Sequence, residues 1–216
     1  MKNMPSKEPP VPVFDGTRAL IVSDVDEVAL EFLDPFNAFL KENGYELLPR
    51  SFRLSGNIVS LAGGNPASPA AVANLMEGFW RSHDSWQRPV RGAAEALHRL
   101  SAVADIVFLT AMPPKHYAVR RALLDRYDLT YPLVARESSK GAFIRELHAD
   151  SEHPVILIDD MIYNLKSVRE HLPHSMAIHF MANDIFRAMA PAPEDDMHIA
   201  ADWNEITRLV LDHLSA

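Results

Sequence analysis

The stretch ALIVSDVDEVAL, residues 19 to 30, runs four apolar residues and a serine straight into Asp24, Val25, Asp26 and Glu27. A short, continuous apolar run is the pattern of a strand covered on both faces. Three carboxylates therefore crowd the end of a buried strand, where like charges repel and each is costly to strip of water. Such a placement demands a counter-charge from elsewhere in the chain.

Four further segments share this character: DIVFLT (105–110), YPLVA (131–135), PVILIDD (154–160) and SMAIHF (175–180). Between them, GAAEALHRLSAV (92–103), HYAVRRALLDRYD (116–128), KGAFIRELHAD (140–150) and NLKSVREHL (164–172) place apolar residues at three- and four-residue intervals, the period of a helix. Strands alternating with helices predict an α/β fold, a doubly wound, Rossmann-like parallel sheet of about five strands. A last helix is expected over 203–214, with Asp202 as its N-cap. The alternation breaks between residues 31 and 89, a gap too long for a loop. It contains the helical patterns PFNAFLKENG and AAVANLMEGFWRSHDSW, joined by SGNIVSLAGGNPASP, and is expected to form a small α-helical insertion over the edge of the sheet. The predicted organisation is a flexible lead-in over 1–17, a core domain over 18–30 and 90–216, and the insertion over 31–89.

At 216 residues the chain is long enough for a sizeable core, and with 48% hydrophobic and 23% charged residues its composition is ordinary for a globular protein. Lys and Arg total 21 against 29 Asp and Glu, a formal net charge of -8 with no basic cluster, which disfavours nucleic acid as a partner. The absence of cysteine excludes disulfides, thiolate metal sites and thiol nucleophiles. The opening MKNMPSKEPPVPVFDG has prolines where a signal peptide needs an apolar helix. No apolar run approaches the roughly 18 residues of a membrane span. The expected location is cytoplasmic, with no membrane partner.

Ligands of open parallel sheets bind outside the carboxyl ends of the strands. Those ends carry Asp24 and Asp26, then Thr110, then Asp159 and Asp160, with Lys140 opening the helix after the third strand. Carboxylates converging on one edge are prohibitive without a hard cation, and an all-oxygen donor set suits Mg²⁺. A cation, a lysine and a hydroxyl around carboxylates make a site for a phosphoryl group, where catalysis is mostly positioning and charge stabilisation. One Asp can serve as nucleophile through an aspartyl phosphate. A second, two residues on, can act as acid and then base.

DVDEV, LTAMP, the Lys of SSKG and LIDDMIYN, in this order at strand ends, resemble the four motifs of the haloacid dehalogenase superfamily over about residues 17–182. The resemblance implies a Mg²⁺-dependent phosphatase acting on a small phosphomonoester. Carried over position by position, Asp24 would be the nucleophile and Asp26 the acid/base, with its backbone carbonyl on the metal. Thr110, with Ala111 beside it, would bind the transferring phosphoryl oxygens, and Lys140 would hold Asp24 and offset negative charge. Asp160 aligns with the usual direct Mg²⁺ ligand, Asp159 is a second acidic position, and Asn164 stands where many members have Asp. The insertion resembles the small helical cap that closes over the site and selects the leaving group. There Arg53, Arg81 and Arg88 are the candidate substrate-binding cations, while Trp80 and Trp86 fit a hydrophobic core better than a pocket wall. LIDDMIYN, AIHFMANDIF and ADWNEITRLV are also similar to the pattern of the 5'(3')-deoxyribonucleotidases. The expected partner is a small phosphorylated metabolite, a nucleotide among the candidates, and the expected state a monomer or homodimer.

One position departs from the family pattern: Glu27 stands where Gly is commonest. It is expected to alter the first turn, to add a charge that disfavours a phosphorylated intermediate, or to anchor the cap through Arg53, Arg81 or Arg88. This departure keeps open a second reading, a catalytically weakened relative that binds a phosphorylated ligand or a protein partner. A receiver-type signalling domain fails on motif order, and no GxGxxG follows the first strand to support dinucleotide binding. The ten histidines show no metal-ligand spacing and the nine methionines are scattered, both consistent with structural roles.

Overall fold

The computed structural model describes residues 11–148 and 151–215. In chain order the elements are β1 (Ala19–Ser23), α1 (Leu33–Glu42), β2 (Tyr45–Leu47), β3 (Ile58–Ser60), α2 (Pro69–Ser82), α3 (Ala93–Ser101), β4 (Ala104–Thr110), α4 (Tyr117–Arg126), β5 (Leu133–Ala135), α5 (Lys140–His148), β6 (Val155–Asp159), α6 (Ile162–His171), β7 (Met176–His179), α7 (Asp184–Arg187), β8 (His198–Ile199) and α8 (Trp203–Leu214). Residues 1–10 of the expected lead-in, and 149–150 of the helix expected over 140–150, lie outside the described residues.

One all-parallel sheet has the order β5-β4-β1-β6-β7-β8. Along β1, Ala19 and Ile21 pack with α3, α4 and α8 on one face, while Leu20 and Val22 pack with α5 and α6 on the other. This two-sided cover is why the strand is apolar without alternation. Each fully buried Leu, Ile or Val here contributes roughly 1.5–3 kcal/mol. The chain leaves β1 toward β4 and leaves β6 toward β7, in opposite directions, so a crevice opens outside the carboxyl ends of β1 and β6. Ser23 is in register with Ile158, so the next residues, Asp24 and Asp159, emerge side by side.

The last helix begins where Asp202 accepts a hydrogen bond from the Glu205 N–H at 2.9 Å. Trp203 is buried against the sheet, and its indole Nε1 donates to the Val28 carbonyl at 3.0 Å, fastening α8 to the loop after β1.

The sheet has six strands, one more than the apolar runs predict. β8 is two exposed residues joined to β7 by backbone pairing, so no hydrophobic pattern announces it. The insertion is also not wholly helical: β2 and β3 pair antiparallel, and three residues each are too few to establish a period of two. Its interior is an aromatic cluster of Phe32, Phe36, Phe39, Phe79 and Trp80, with neighbouring ring centroids 5.2 to 6.4 Å apart. The cluster continues onto Met112, Met181 and Phe186, seating the insertion over the carboxyl edge of the sheet. Among the described residues no helix is long and apolar enough to cross a membrane.

Candidate active site

Lys140, the first residue of α5, donates through Nζ to Asp24 Oδ1 at 2.7 Å and to Asp159 Oδ2 at 2.6 Å. All three side chains are buried. Gly141 sets this reach: a Cβ there would overlap the Ser167 carbonyl of α6, so only glycine lets the two helices lie this close and bring Lys140 in. Asp159 Oδ1 accepts from the Met161 N–H and the Asn164 amide, each at 2.9 Å, which commits both of its oxygens. Asp160 differs. Its carbonyl is held by His179 Nε2 at 2.9 Å, but its buried carboxylate accepts no hydrogen bond among the described residues.

Carboxylate oxygens of Asp24, Asp159 and Asp160 lie within 4.8 Å of one another. Burial pushes the Asp24 carboxyl up to about 7; Lys140 opposes this, while Asp159 and Asp26 add to it. Asp160 is raised well above the ordinary carboxylate range, by burial first and then by Asp24 and Asp159. For Lys140, burial works against the ammonium, but Asp159 and Asp24 outweigh it and hold the group above its usual range. Fully ionised, three carboxylates against one ammonium carry two surplus negative charges, which is part of why Asp24 and Asp160 hold their protons more tightly than ordinary carboxyls. Oxygen-only donors, an uncommitted Asp160 carboxylate and an Asp26 carbonyl that accepts no hydrogen bond among the described residues make a fitting donor set for a hard divalent cation.

Asp26 stands in a different balance. Its Oδ1 accepts from Arg120 Nη2 at 2.9 Å and from Gln87 Nε2 at 2.8 Å. Among the described residues its Oδ2 meets only the Thr110 hydroxyl, at 3.4 Å, and that hydroxyl is held by the Met112 N–H at 3.1 Å. Arg120 is wholly buried. Its Nη2 also donates to Gln87 Oε1 and its Nε to His83 Nε2, both at 3.1 Å, and its guanidinium carbon lies 5.5 Å from the Trp80 ring centroid, within cation–π reach. His83 Nδ1 lies 2.8 Å from the Trp80 carbonyl, so Nδ1 carries the proton and Nε2 is the acceptor. Burial, and then the Arg120 charge, bring this imidazole down to about 4, which keeps it neutral. Gln87 Nε2 donates in addition to the Glu31 carbonyl at 2.9 Å. Both arms of the insertion are thus tied through Gln87 to Asp26, and through Arg120 to α4 of the core.

Glu27 has φ of 62°, a left-handed backbone that glycine adopts without strain. A side chain there costs about 1 kcal/mol of strain. The carboxylate offsets it: Oε1 accepts from the Phe32 and Leu33 N–H groups at 2.9 and 2.6 Å, and Oε2 from the Asn183 N–H at 2.8 Å. An anion is also favoured at the N-terminus of α1. Burial raises Glu27 above the ordinary carboxylate range against the pull of those three bonds. Its anchors are backbone groups at the start of α1 and after β7, and none of Arg53, Arg81 or Arg88 bonds to it.

Arg53, between β2 and β3, lines a cavity with Glu27 and Asp160. Arg81 is exposed on α2 and pairs with Glu77 at 3.1 Å, and Arg88 donates to the Gln87 carbonyl at 2.7 Å; neither lines that cavity. Ala111 is exposed directly after Thr110. The structure brings together Asp24, Asp26, Thr110, Lys140, Asp159 and Asp160, and adds Arg120, Gln87 and His83, which sequence reasoning missed. Arg120 left a signal, a charge on the same helical stripe as the buried Leu123 and Leu124. Gln87 left none.

No protein-family model and no curated protein matches the chain. Solved structures do resemble it. A haloacid dehalogenase-like hydrolase from Streptococcus pneumoniae is 14% identical with a TM-score of 0.58, covering 89% of this chain and 98% of its own. A haloacid dehalogenase-like protein from Agrobacterium tumefaciens is 13% identical with a TM-score of 0.62, covering 90% and 98%. A hydrolase of the same family from Deinococcus radiodurans, solved with bound phosphate and sodium, is 12% identical with a TM-score of 0.53, covering 93% and 98%. At these identities the likeness establishes the shared fold.

Proposed function

We propose that this chain, which has the fold of the haloacid dehalogenase-like hydrolases, is a Mg²⁺-dependent phosphatase that hydrolyses a small phosphomonoester through an aspartyl phosphate. The observation that carries this reading is the buried set of Asp24, Asp159 and Asp160 served by one lysine, two positive charges short of neutrality when all three are ionised, beside a fourth, separately held carboxylate, Asp26. In the first step an Asp24 oxygen bonds to phosphorus, the bond from phosphorus to the leaving oxygen breaks, and Asp26 gives that oxygen a proton. In the second, Asp26 takes a proton from the water that attacks the aspartyl phosphate, releasing phosphate and restoring Asp24.

Thr110 would hold phosphoryl oxygens, as would the Ala111 backbone, and Lys140 orients Asp24 and offsets charge on the phosphoryl group. Asp24, Asp160 and the Asp26 carbonyl would hold Mg²⁺, with Asp159 fixed behind them by Lys140 and Asn164. When bound, the ion would neutralise the surplus charge, keep Asp24 ionised and draw in a phosphoryl oxygen. The Asp26 Oδ2, loosely met by the Thr110 hydroxyl, suits proton transfer, because Oδ1 carries the short anchoring bonds. The alternative reading, a weakened relative, has no support from Glu27, whose carboxylate is spent on three backbone N–H groups.

The test is hydrolysis of nitrophenyl phosphate and a panel of phosphorylated metabolites, deoxynucleoside monophosphates and sugar phosphates included, with Mg²⁺ and with chelator. Turnover that requires Mg²⁺ and disappears in Asp24→Asn is expected. Turnover retained in Asp24→Asn, or fully resistant to chelation, would refute the reading.

A further inference from the structure

Accepting that the chain hydrolyses phosphomonoesters, we infer that its substrate has an apolar leaving group ending in an acidic group, such as an arylalkyl phosphate bearing a carboxylate, and that sugar phosphates are poor substrates. A cavity of about 260 Å³ lies between the insertion and the carboxyl end of β6. Asp160 belongs both to its wall and to the acidic cluster, so the cavity begins where the phosphoryl site ends. Phe32 and Leu33 wall it from the start of the insertion, Phe52 and Leu54 from the loop between β2 and β3, and Met161 and Met181 from the core. A cavity of about 150 Å³ accommodates a benzene ring, so this one has room for a ring and a short arm.

The charged groups on the wall decide the rest. Glu27 is consumed by the Phe32, Leu33 and Asn183 N–H groups. Asp160 turns its carboxylate to the acidic cluster, where it is the proposed cation ligand. Arg53 is exposed on the loop between β2 and β3, and its guanidinium has no hydrogen-bond or ion-pair partner among the described residues. It is the uncommitted charge on this wall, placed to meet a carboxylate at the far end of a leaving group. A sugar would surrender the hydration of several hydroxyls to a wall of phenylalanine, leucine and methionine side chains, and buried polar groups without partners are penalised. Discrimination of about 10-fold to 100-fold is what an apolar pocket supplies in such a case.

The experiment compares three primary alkyl phosphates, matched in leaving-group chemistry: 4-(2-phosphooxyethyl)benzoate, 2-phenylethyl phosphate and glucose 6-phosphate, each with Mg²⁺, with nitrophenyl phosphate as a control for activity. The expected order of kcat/KM is benzoate over phenylethyl over glucose ester, with at least about tenfold at each step. Arg53→Met should erase the first step and leave the second, and Arg53→Lys should restore part of the first. Glucose 6-phosphate turned over as well as the phenylethyl ester, or a benzoate advantage that survives Arg53→Met, overturns the inference and leaves the phosphatase reading standing. Failure to hydrolyse any of the four esters overturns the inference, and failure on the wider metabolite panel as well overturns the phosphatase reading.

Discussion

Asp24 and Asp26 are two residues apart and live in opposite electrostatic worlds. Asp24 shares one ammonium with Asp159, beside a third buried carboxylate, Asp160, and is pushed up to about 7 by burial. Asp26 faces a buried guanidinium of its own, reinforced by an amide. A site that is short of positive charge has room for a cation. A site that is already balanced has its side chain fixed instead, one oxygen anchored by two short bonds and the other met only by the more distant Thr110 hydroxyl. The strand end sends Asp24 and Asp26, alternate residues of one short stretch, into different company, and the difference separates the proposed nucleophile and metal ligand from the proposed proton carrier.

The largest expected effect breaks the pair apart by chemistry. Asp24→Asn should lose essentially all turnover, whereas Asp26→Asn should lose about 10²–10⁴-fold on alkyl phosphates and distinctly less on nitrophenyl phosphate, whose leaving oxygen needs no proton. Equal losses on both esters in Asp26→Asn would remove the distinction between the two aspartates.

Next comes Arg120→Met, which leaves the Asp26 charge without its buried partner. Destabilisation of about 3–5 kcal/mol in denaturant melts is expected, the range for breaking a buried pair. A loss under about 1 kcal/mol would mean that Asp26 does not depend on Arg120. By contrast, Asp160→Asn should leave stability in chelator nearly unchanged while removing the rise in Tm that Mg²⁺ confers on the parent protein. A Mg²⁺ response that persisted would place the cation elsewhere.

Glu27→Gly relieves the strained backbone but orphans three N–H groups, so a net destabilisation of about 2–4 kcal/mol is expected, together with a raised KM as α1 loosens. A variant at least as stable as the parent would show that the carboxylate anchor contributes nothing.

The smallest effect concerns pH. His83 is held at about 4 in the folded chain, below the ordinary imidazole range, so between about pH 6.5 and 4 the unfolded state binds a proton that the folded state refuses. Its contribution is therefore intact above about pH 6.5 and is lost on acidification, by about 2 kcal/mol between pH 7 and pH 5. Denaturant midpoints at the two pH values in the parent and in His83→Gln measure it. An identical pH dependence in both would show that His83 does not carry the effect.

The sequence by itself determined the parallel sheet, the order of the motifs along it and the convergence of Asp24, Asp26, Thr110, Lys140, Asp159 and Asp160 on one edge. Continuous apolar runs report burial on both faces, and residues at strand ends in a parallel sheet share an edge whatever their side chains do. The short elements β2, β3, α7 and β8 were beyond its reach, since a period cannot be read from two to four residues, whereas the equally short β5 and β7 lie inside the longer apolar runs YPLVA and SMAIHF. Only the tertiary structure decided that Asp159 spends both oxygens on Lys140, Met161 and Asn164 while Asp160 keeps its carboxylate free, and that Arg120 and Gln87 hold Asp26. It alone placed Arg53, and neither Arg81 nor Arg88, on the cavity wall. Those outcomes depend on contacts across as many as 94 residues of chain and on side-chain directions, which follow from how packed elements meet in space and leave no period in the sequence.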